Sequence, residues 1–250
     1  MDILYIVGNG SIWQNNELRY SLRSIEQNGI NVGRVFVCGF IPEWINRETV
    51  VCLPLQDKTK CKHWNICAAI LYAAQRTDIG GESGDFLYSS DDHFYLRPTD
   101  FAQYPYFCKG ELPDSVDPND KNKEYHTTLA NTHHLLAKYG YDTRMYNWHG
   151  NTHFNRHLLN SAELFALFCE GATMPEGVEP TSLMLNYQHS LQNFDVEFRN
   201  DSKLAQNCTE QDVELCAQER ECVSSVPMIA YSGLHDYLYN HFRNKSKYEK

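Results

Sequence analysis

Two hundred and fifty residues, 42% of them hydrophobic, suffice for one domain with a core of its own and exclude wholesale disorder. A formal net charge of −10 argues against nonspecific tracking along phosphate backbones, so no extended nucleic-acid surface is expected. An acidic chain that takes an anionic ligand must supply local positive charge, from isolated Lys or Arg at a cleft or from carboxylates that hold a divalent cation.

The chain opens on the apolar run Ile3-Leu4-Tyr5-Ile6-Val7, which ends in Gly8-Asn9-Gly10-Ser11. That pattern predicts a buried strand and a turn at its carboxyl end. Asn16 is placed to cap the next helix, in which Leu18, Leu22 and Ile25 recur at helical spacing until Asn28-Gly29 stops it. Arg34 to Gly39 and Val50 to Pro54 read as the second and third strands, Trp64 to Gln75 as a helix, and Gly80 to Gly84 as a loop. Phe86-Leu87-Tyr88 is a fourth strand that runs into Ser89-Ser90-Asp91-Asp92-His93. This β-α-β-β-α-β order predicts an α/β fold with a Rossmann-type, mostly parallel sheet flanked by helices. Ligands of such sheets lie beyond the carboxyl ends of the strands, where both the glycine turn and the aspartate pair fall.

The second half is less regular. Residues 109–125, rich in Asp, Pro, Lys and Asn, read as a loop or lid. Helices are predicted from Thr127 to Tyr139, Asn155 to Cys169 and Thr181 to Leu191, with a strand from Arg144 to Trp148. An acidic helix over 209–221 and another from Leu234 to Phe242 give a helical C-terminal part. The expected organisation is one domain over 1–250, with 1–100 the ligand-binding half and 101–250 the half that contains the 109–125 loop. Nine cysteines, an odd number, and an N-terminus without a signal peptide read as free thiols in a reducing cytoplasm. The spacing of Cys208, Cys216 and Cys222 matches no compact zinc knuckle. No apolar run approaches the length of a membrane span.

Several side chains carry candidate chemistry. Asp91 and Asp92 are oxygen ligands of the kind that hold Mg²⁺ or Mn²⁺ together with substrate phosphates. If the strand continues through them they point to opposite faces, and only one reaches a metal directly. The competing reading is an aspartate pair in a turn. Lys62 and Asn65 open a helix whose amino terminus attracts phosphate. Arg19 is placed to reach a phosphate or to pair with Glu26 or Asp92, whereas Arg23 reads as an exposed helical arginine. His149 and His153 follow a short strand, where a neutral imidazole serves as metal ligand or general base. Gly8-Asn9-Gly10 lacks the third glycine and the downstream acid of a dinucleotide fingerprint. No serine nucleophile elbow is present.

Four stretches together resemble the Stealth family of sugar-1-phosphate transferases, and the short phage and bacterial glycosyltransferase-like proteins that share its core. These are Asp2 to Ser11; Asn16-Glu17-Leu18-Arg19-Tyr20-Ser21-Leu22-Arg23-Ser24-Ile25-Glu26, continuing through Pro42-Glu43-Trp44-Ile45 to Tyr88 through Phe94 and Arg97-Pro98; His149 with Asn155-Arg156 and Thr181-Ser182; and Leu234-His235-Asp236-Tyr237 leading to Ser246-Lys247-Tyr248-Glu249. The resemblance implies a GT-A-like nucleotide-sugar transferase in which Asn9, Glu17, Arg19, Asp91, Asp92 and His149 occupy site positions. Two departures bear on the chemistry. Asn151 stands where the family has Pro, and Leu183-Met184-Leu185-Asn186-Tyr187 stands where it has His and Arg. Those basic groups would serve a transferred phosphate, so their loss favours transfer of the sugar alone.

The expectation that results is a metal-dependent glycosyltransferase with a nucleotide-sugar donor and a glycan, small-molecule or modified-base acceptor. Asp92, Glu17 and His149 are its candidate catalytic residues. Asn9, Gly10, Arg19, Lys62, Asn65 and Asp91 are the candidate donor contacts, and Asp91, Asp92 and His149 the candidate ligands of Mg²⁺ or Mn²⁺. Hexose-1-phosphate transfer and nucleotide or sugar-nucleotide binding without turnover are the alternatives.

Overall fold

The computed structural model describes residues 1–117, 119, 121–141, 145–148, 150–199, 203–225 and 232–250. In chain order its elements are β1 (Asp2–Val7), α1 (Asn16–Asn28), β2 (Gly29–Ile30), β3 (Val35–Gly39), β4 (Val50–Pro54), α2 (Lys62–Ala74), β5 (Asp85–Ser89), β6 (His93–Tyr95), β7 (Thr99–Asp100) and β8 (Phe107–Glu111). There follow α3 (Lys123–Lys138), β9 (Tyr146–Trp148), β10 (Thr152–Asn155), α4 (Arg156–Leu159), α5 (Ala162–Gly171), α6 (Pro180–Gln192), β11 (Glu197–Phe198), α7 (Glu210–Glu219), β12 (Cys222–Ser224) and α8 (Gly233–His241). The chain divides into two interleaved units, one of Met1–Leu55, Leu87–Tyr104 and Asp201–Lys250, the other of Gln56–Phe86 and Pro105–Asn200.

In the first unit, β1, β3 and β4 pair parallel and in register, from Ile3 opposite Val35 opposite Val50 to Val7 opposite Gly39 opposite Pro54. Their central residues are apolar without alternation, and Ile3, Leu4, Tyr5 and Val35 through Cys38 are fully buried, as strands covered on both faces require. β5 neighbours β1 on the side away from β3. Gly39 closes β3 at a φ of +106°, and a Cβ there would collide with the Val7 carbonyl oxygen, so the register of the two strand ends depends on glycine.

Helix α1 buries Leu18, Leu22 and Ile25 together with Ser21 and Ser24. Both serines have partners: Ser21 Oγ lies 2.8 Å from the Tyr5 hydroxyl, and Ser24 Oγ accepts from the Tyr95 amide at 3.0 Å. Burial pushes the Tyr5 phenol well above its ordinary range, against the opposing effect of hydrogen bonds to Ser21 and Ser89. Behind β6 and its antiparallel partner β12 lies a cluster of Phe94, Leu96, Val213, Val223, Leu234, Leu238 and Phe242, which fastens α7 and α8 to this unit.

In the second unit, β8 pairs antiparallel with β9 and parallel with β11. Helix α6 packs on α2, α3, β9 and β10. It is buried along Pro180 to Gln188, and Asn186 clamps both the amide and the carbonyl of Tyr146 at 2.7 and 2.8 Å.

Four local expectations need correction. The capping position of α1 is Asn15, not Asn16, which is already helical. Asp91 and Asp92 do not continue β5 but form a turn closed by the His93 amide on the Ser90 carbonyl at 3.3 Å. The 109–125 stretch is not wholly loop: residues up to Glu111 complete β8, and α3 begins at Lys123. The helix expected from Asn155 to Cys169 is two, because Asn155 caps α4 and Ser161 breaks the path to start α5. The residues expected to open the strand ending at Trp148 include Arg144, which lies outside the described residues.

Candidate functional site

Six of the nine candidate residues belong to the first unit. Asn9 and Gly10 lie exposed in the turn after β1, Glu17 and Arg19 in the first turn of α1, and Asp91 and Asp92 in the turn after the neighbouring strand β5. The two turns are anchored from below. Ser89, the last residue of β5, bonds Tyr95 at 3.3 Å and also reaches Tyr5, while Asn28 of α1 donates to the Tyr95 carbonyl at 2.6 Å. The Ser225 amide holds the Asp92 carbonyl at 3.2 Å.

The glycine turn is bare. A Cβ placed on Gly8 or Gly10 would meet no atom within 4 Å, and neither residue has a φ in the left-handed region. Neither backbone strain nor packing within the chain accounts for glycine at these positions. Ser11 organises the rest of the turn: its hydroxyl donates to Glu17 Oε2 at 2.7 Å and accepts from the amides of Trp13 at 3.1 Å and Asn15 at 2.9 Å.

The aspartates are half-buried. Asp92 Oδ1 lies 3.9 Å from His93 Nε2, at the limit of an ion pair, and its side chain keeps 35% of its surface exposed. Among the described residues, no group of three or more His, Cys, Asp or Glu could enclose a metal ion. Two adjacent carboxylates are the donor set that Mg²⁺ or Mn²⁺ uses when phosphate oxygens and water complete the shell, so the residues present fit a shared cation.

Arg19 is more constrained than its helical position suggested. Its guanidinium lies over the Trp44 ring at 4.7 Å, and Nε is 3.2 Å from Glu249 Oε2 without being aimed at it as a hydrogen bond. Neither Glu26 nor Asp92 is its partner among the described ion pairs. Arg23, expected to be exposed, is instead 12% exposed and bidentate on Glu249 at 2.6 and 2.8 Å. Burial pushes the Glu249 carboxyl up, but hydrogen bonds from Arg23 and the Ser246 amide, with the charges of Arg23 and Arg19, hold it below its ordinary value. No sequence signal announced Glu249 as this hub, because it lies 226 residues from Arg23.

Lys62 and Asn65 belong to the second unit. Lys62 is the exposed first residue of α2, whose cap is the Cys61 thiol accepting from the Trp64 amide at 3.5 Å. The Asn65 carboxamide is committed to the preceding loop. Its oxygen accepts from the Lys58 and Thr59 amides at 3.2 and 3.3 Å, and its nitrogen donates to the Thr59 carbonyl at 2.9 Å. His149 lies outside the described residues, and His153 is buried in β10, 5.6 Å from the Tyr106 ring.

No protein-family model matches the chain, and no curated protein does. Solved structures do. The galactosyltransferase LgtC in complex with donor and acceptor sugar analogs superposes with a TM-score of 0.50 at 11% identity, covering 99% of this chain and 98% of that one. An active-site mutant of LgtC gives 0.42 at 12% identity over 84% of this chain and 75% of that one. The α/β sheet flanked by helices is thus a GT-A-like glycosyltransferase fold that spans the whole chain. No described helix is long and apolar enough to cross a membrane.

Proposed function

We propose that the protein is a metal-dependent glycosyltransferase that moves a sugar from a nucleotide-sugar donor to a glycan, small-molecule or modified-base acceptor. One observation carries this reading: on a GT-A-like fold, a bare glycine turn follows β1 and an aspartate pair occupies the turn after the neighbouring strand β5. LgtC, whose fold the chain shares, was solved with donor and acceptor sugar analogs, which supports a sugar ligand without naming one. The resemblance to the Stealth family is the finer form of the same proposal. In it, residues 1–100 bind the donor and residues 101–250 face the acceptor, and nine free thiols suit a reducing cytoplasm.

In this reading the Asn9-Gly10 backbone lies against the nucleotide, with Asp91 toward the ribose. Lys62 adds a full positive charge to the amino terminus of α2 for the diphosphate. Asn65 positions rather than binds, since it holds the loop that precedes Lys62. Arg19, stacked on Trp44, presents its outer edge to phosphate or ribose oxygens. Glu17 orients the acceptor hydroxyl, with its carboxylate steadied by Ser11. A divalent cation held by Asp91 and Asp92, with His149 the third candidate, would neutralise charge on the departing diphosphate.

Hexose-1-phosphate transfer would need positive charge around the reacting phosphorus. Met184 and Tyr187, buried in α6, supply none where the resembled family has basic groups. The released nucleotide is therefore expected to be a nucleoside diphosphate. Chromatography after incubation with donor and an acceptor extract tests this. Release of nucleoside monophosphate in step with a phosphate-linked product would establish phosphotransfer instead. Tight donor binding with neither product would mark a binding protein.

A further inference from the structure

The amino terminus of α1 contains a polar group that no described residue pairs with. Asn15 stands at the capping position of this 13-residue helix, yet its side chain makes no capping hydrogen bond. Asn15 is only 6% exposed, and its carboxamide oxygen is buried without a hydrogen-bond partner. Buried polar atoms are nearly always paired, because an unmet acceptor forfeits its hydration for nothing. The donors nearest in sequence are engaged elsewhere. The single Ser11 hydroxyl proton goes to Glu17, the Asn16 side-chain amide donates to the Trp13 carbonyl at 2.8 Å, and the Asn15 amide itself donates to Ser11. Among the described residues no donor reaches that oxygen.

The surroundings define which donor would suit it. Glu17 places a carboxylate in the same first turn of α1, which repels an anion and accepts from neutral O–H groups. Asn15 and Glu17 both bond Ser11, Asn15 through its backbone amide and Glu17 through its carboxylate, on the segment that follows the bare turn of Gly8 and Gly10. A pair of acceptors suits a ligand with neighbouring hydroxyls. The oxygen is buried, so a ligand reaches it only if the structure around it shifts. Trp13 is held there by stacking on Tyr20 at 5.3 Å and the Gln14 amide by the Ser11 carbonyl at 3.3 Å, whereas Ile12 is 75% exposed and Gln14 and Asn15 stand at φ of 56° and 57°, a conformation that non-glycine residues adopt reluctantly.

We propose that Asn15 is a sugar-hydroxyl-binding residue, its carboxamide oxygen accepting from a hydroxyl of a ribose or hexose ring, with Glu17 as the neighbouring acceptor. The inference rests on the glycosyltransferase reading and adds a residue to its site. Two variants test it. Asn15→Gly keeps the left-handed backbone and removes the acceptor, whereas Asn15→Asp keeps an acceptor oxygen. Calorimetry in Mn²⁺ would compare ribonucleoside diphosphates with their 2′-deoxy forms, and free hexoses at saturating nucleotide, with the melting temperature followed in parallel.

Asn15→Gly is expected to weaken one of these ligands about tenfold, the scale of one hydrogen bond, with the melting temperature unchanged or raised. Asn15→Asp is expected to retain binding. Loss of the preference for ribose over 2′-deoxyribose identifies the donor as the source of the hydroxyl, and loss of hexose binding identifies the acceptor. Unchanged affinities in Asn15→Gly would overturn the assignment and leave an ordered water as the partner. A fall in melting temperature in step with affinity, in both variants, would overturn it in favour of a structural role. If the wild-type protein binds neither nucleotides nor hexoses, the glycosyltransferase reading itself fails. Intact wild-type binding with an indifferent Asn15→Gly sinks the role of Asn15 alone.

Discussion

At the scale of single residues, Asp92 and Glu249 show how position decides what a carboxylate does. Asp92 sits in a turn with a third of its side chain exposed, so removing its charge should leave the fold within about 0.5 kcal/mol of wild type. Asp92→Asn is nevertheless expected to lower transfer at least about a hundredfold, since a cation that stabilises the departing charge contributes several kcal/mol. A steady-state assay with the melting curve as control checks this, and near wild-type turnover would reduce Asp92 to a loop residue. Glu249 is the opposite case. It is 3% exposed and gathers Arg23, Arg19 and the Ser246 amide. Glu249→Gln is expected to cost about 3 kcal/mol at neutral pH, because Arg23 is left buried without its charge partner. Its carboxyl is held below the ordinary value of 4.5, so the ion pair adds stability above that pH and loses it as pH falls through the lowered pKa. Melting curves of wild type and variant should therefore converge on acidification below about pH 4.5; a constant gap would refute the ionic account.

At the scale of elements, the ends of β1 and β3 make a sharp contrast among glycines. Gly39 is needed by the chain: its positive φ and the adjacent Val7 carbonyl oxygen leave no room for a side chain. Gly39→Ala is expected to destabilise by more than about 2 kcal/mol, combining backbone strain with a displaced strand end. Gly8 and Gly10 are not needed by the chain, since a methyl at either would meet open space. Gly10→Ala should fold with an unchanged melting temperature and still bind nucleoside diphosphate more weakly, as titration calorimetry would show. If Gly10→Ala binds as well as wild type, the turn is not the donor platform. Away from α1 the helix starts obey local chemistry: Ser161, Thr209 and Ser232 cap α5, α7 and α8 with their hydroxyls, and Thr209 completes a reciprocal box with Asp212.

At the scale of the whole molecule, an excess of ten negative charges would have to coexist with the anionic donor proposed above. Within the first unit Glu17, Asp91 and Asp92 gather on the turns beside β1, while Glu249 takes up Arg23 and lies beside Arg19. Calorimetry is accordingly expected to show nucleoside diphosphate binding much more tightly with Mn²⁺ or Mg²⁺ than with chelator. Equal affinity in both would remove the cation from the site. The same acidity is expected to make that binding depend more steeply on the cation than on ionic strength in general.

Apart from the two-residue β2, the amino-acid sequence by itself determined the strands and helices of the first ninety residues and the parallel pairing of β1, β3 and β4. Apolar runs without alternation, separated by amphipathic stretches and glycine stops, leave few other arrangements. It also marked the glycine turn and the aspartate pair, because both are local breaks after an apolar run. It fared less well after residue 100, where short strands such as β8 and β10 have too few residues for a period to declare itself, and where Ser161 splits what reads as one helix. Only the tertiary structure decided that Asp91 and Asp92 turn back into β6, that Arg23 is bound to Glu249, and that the Asn65 carboxamide is spent on its own loop. It alone exposed the unpartnered oxygen of Asn15. These are questions of which groups find partners, and partners distant in sequence are fixed by packing, which no window of neighbouring residues records.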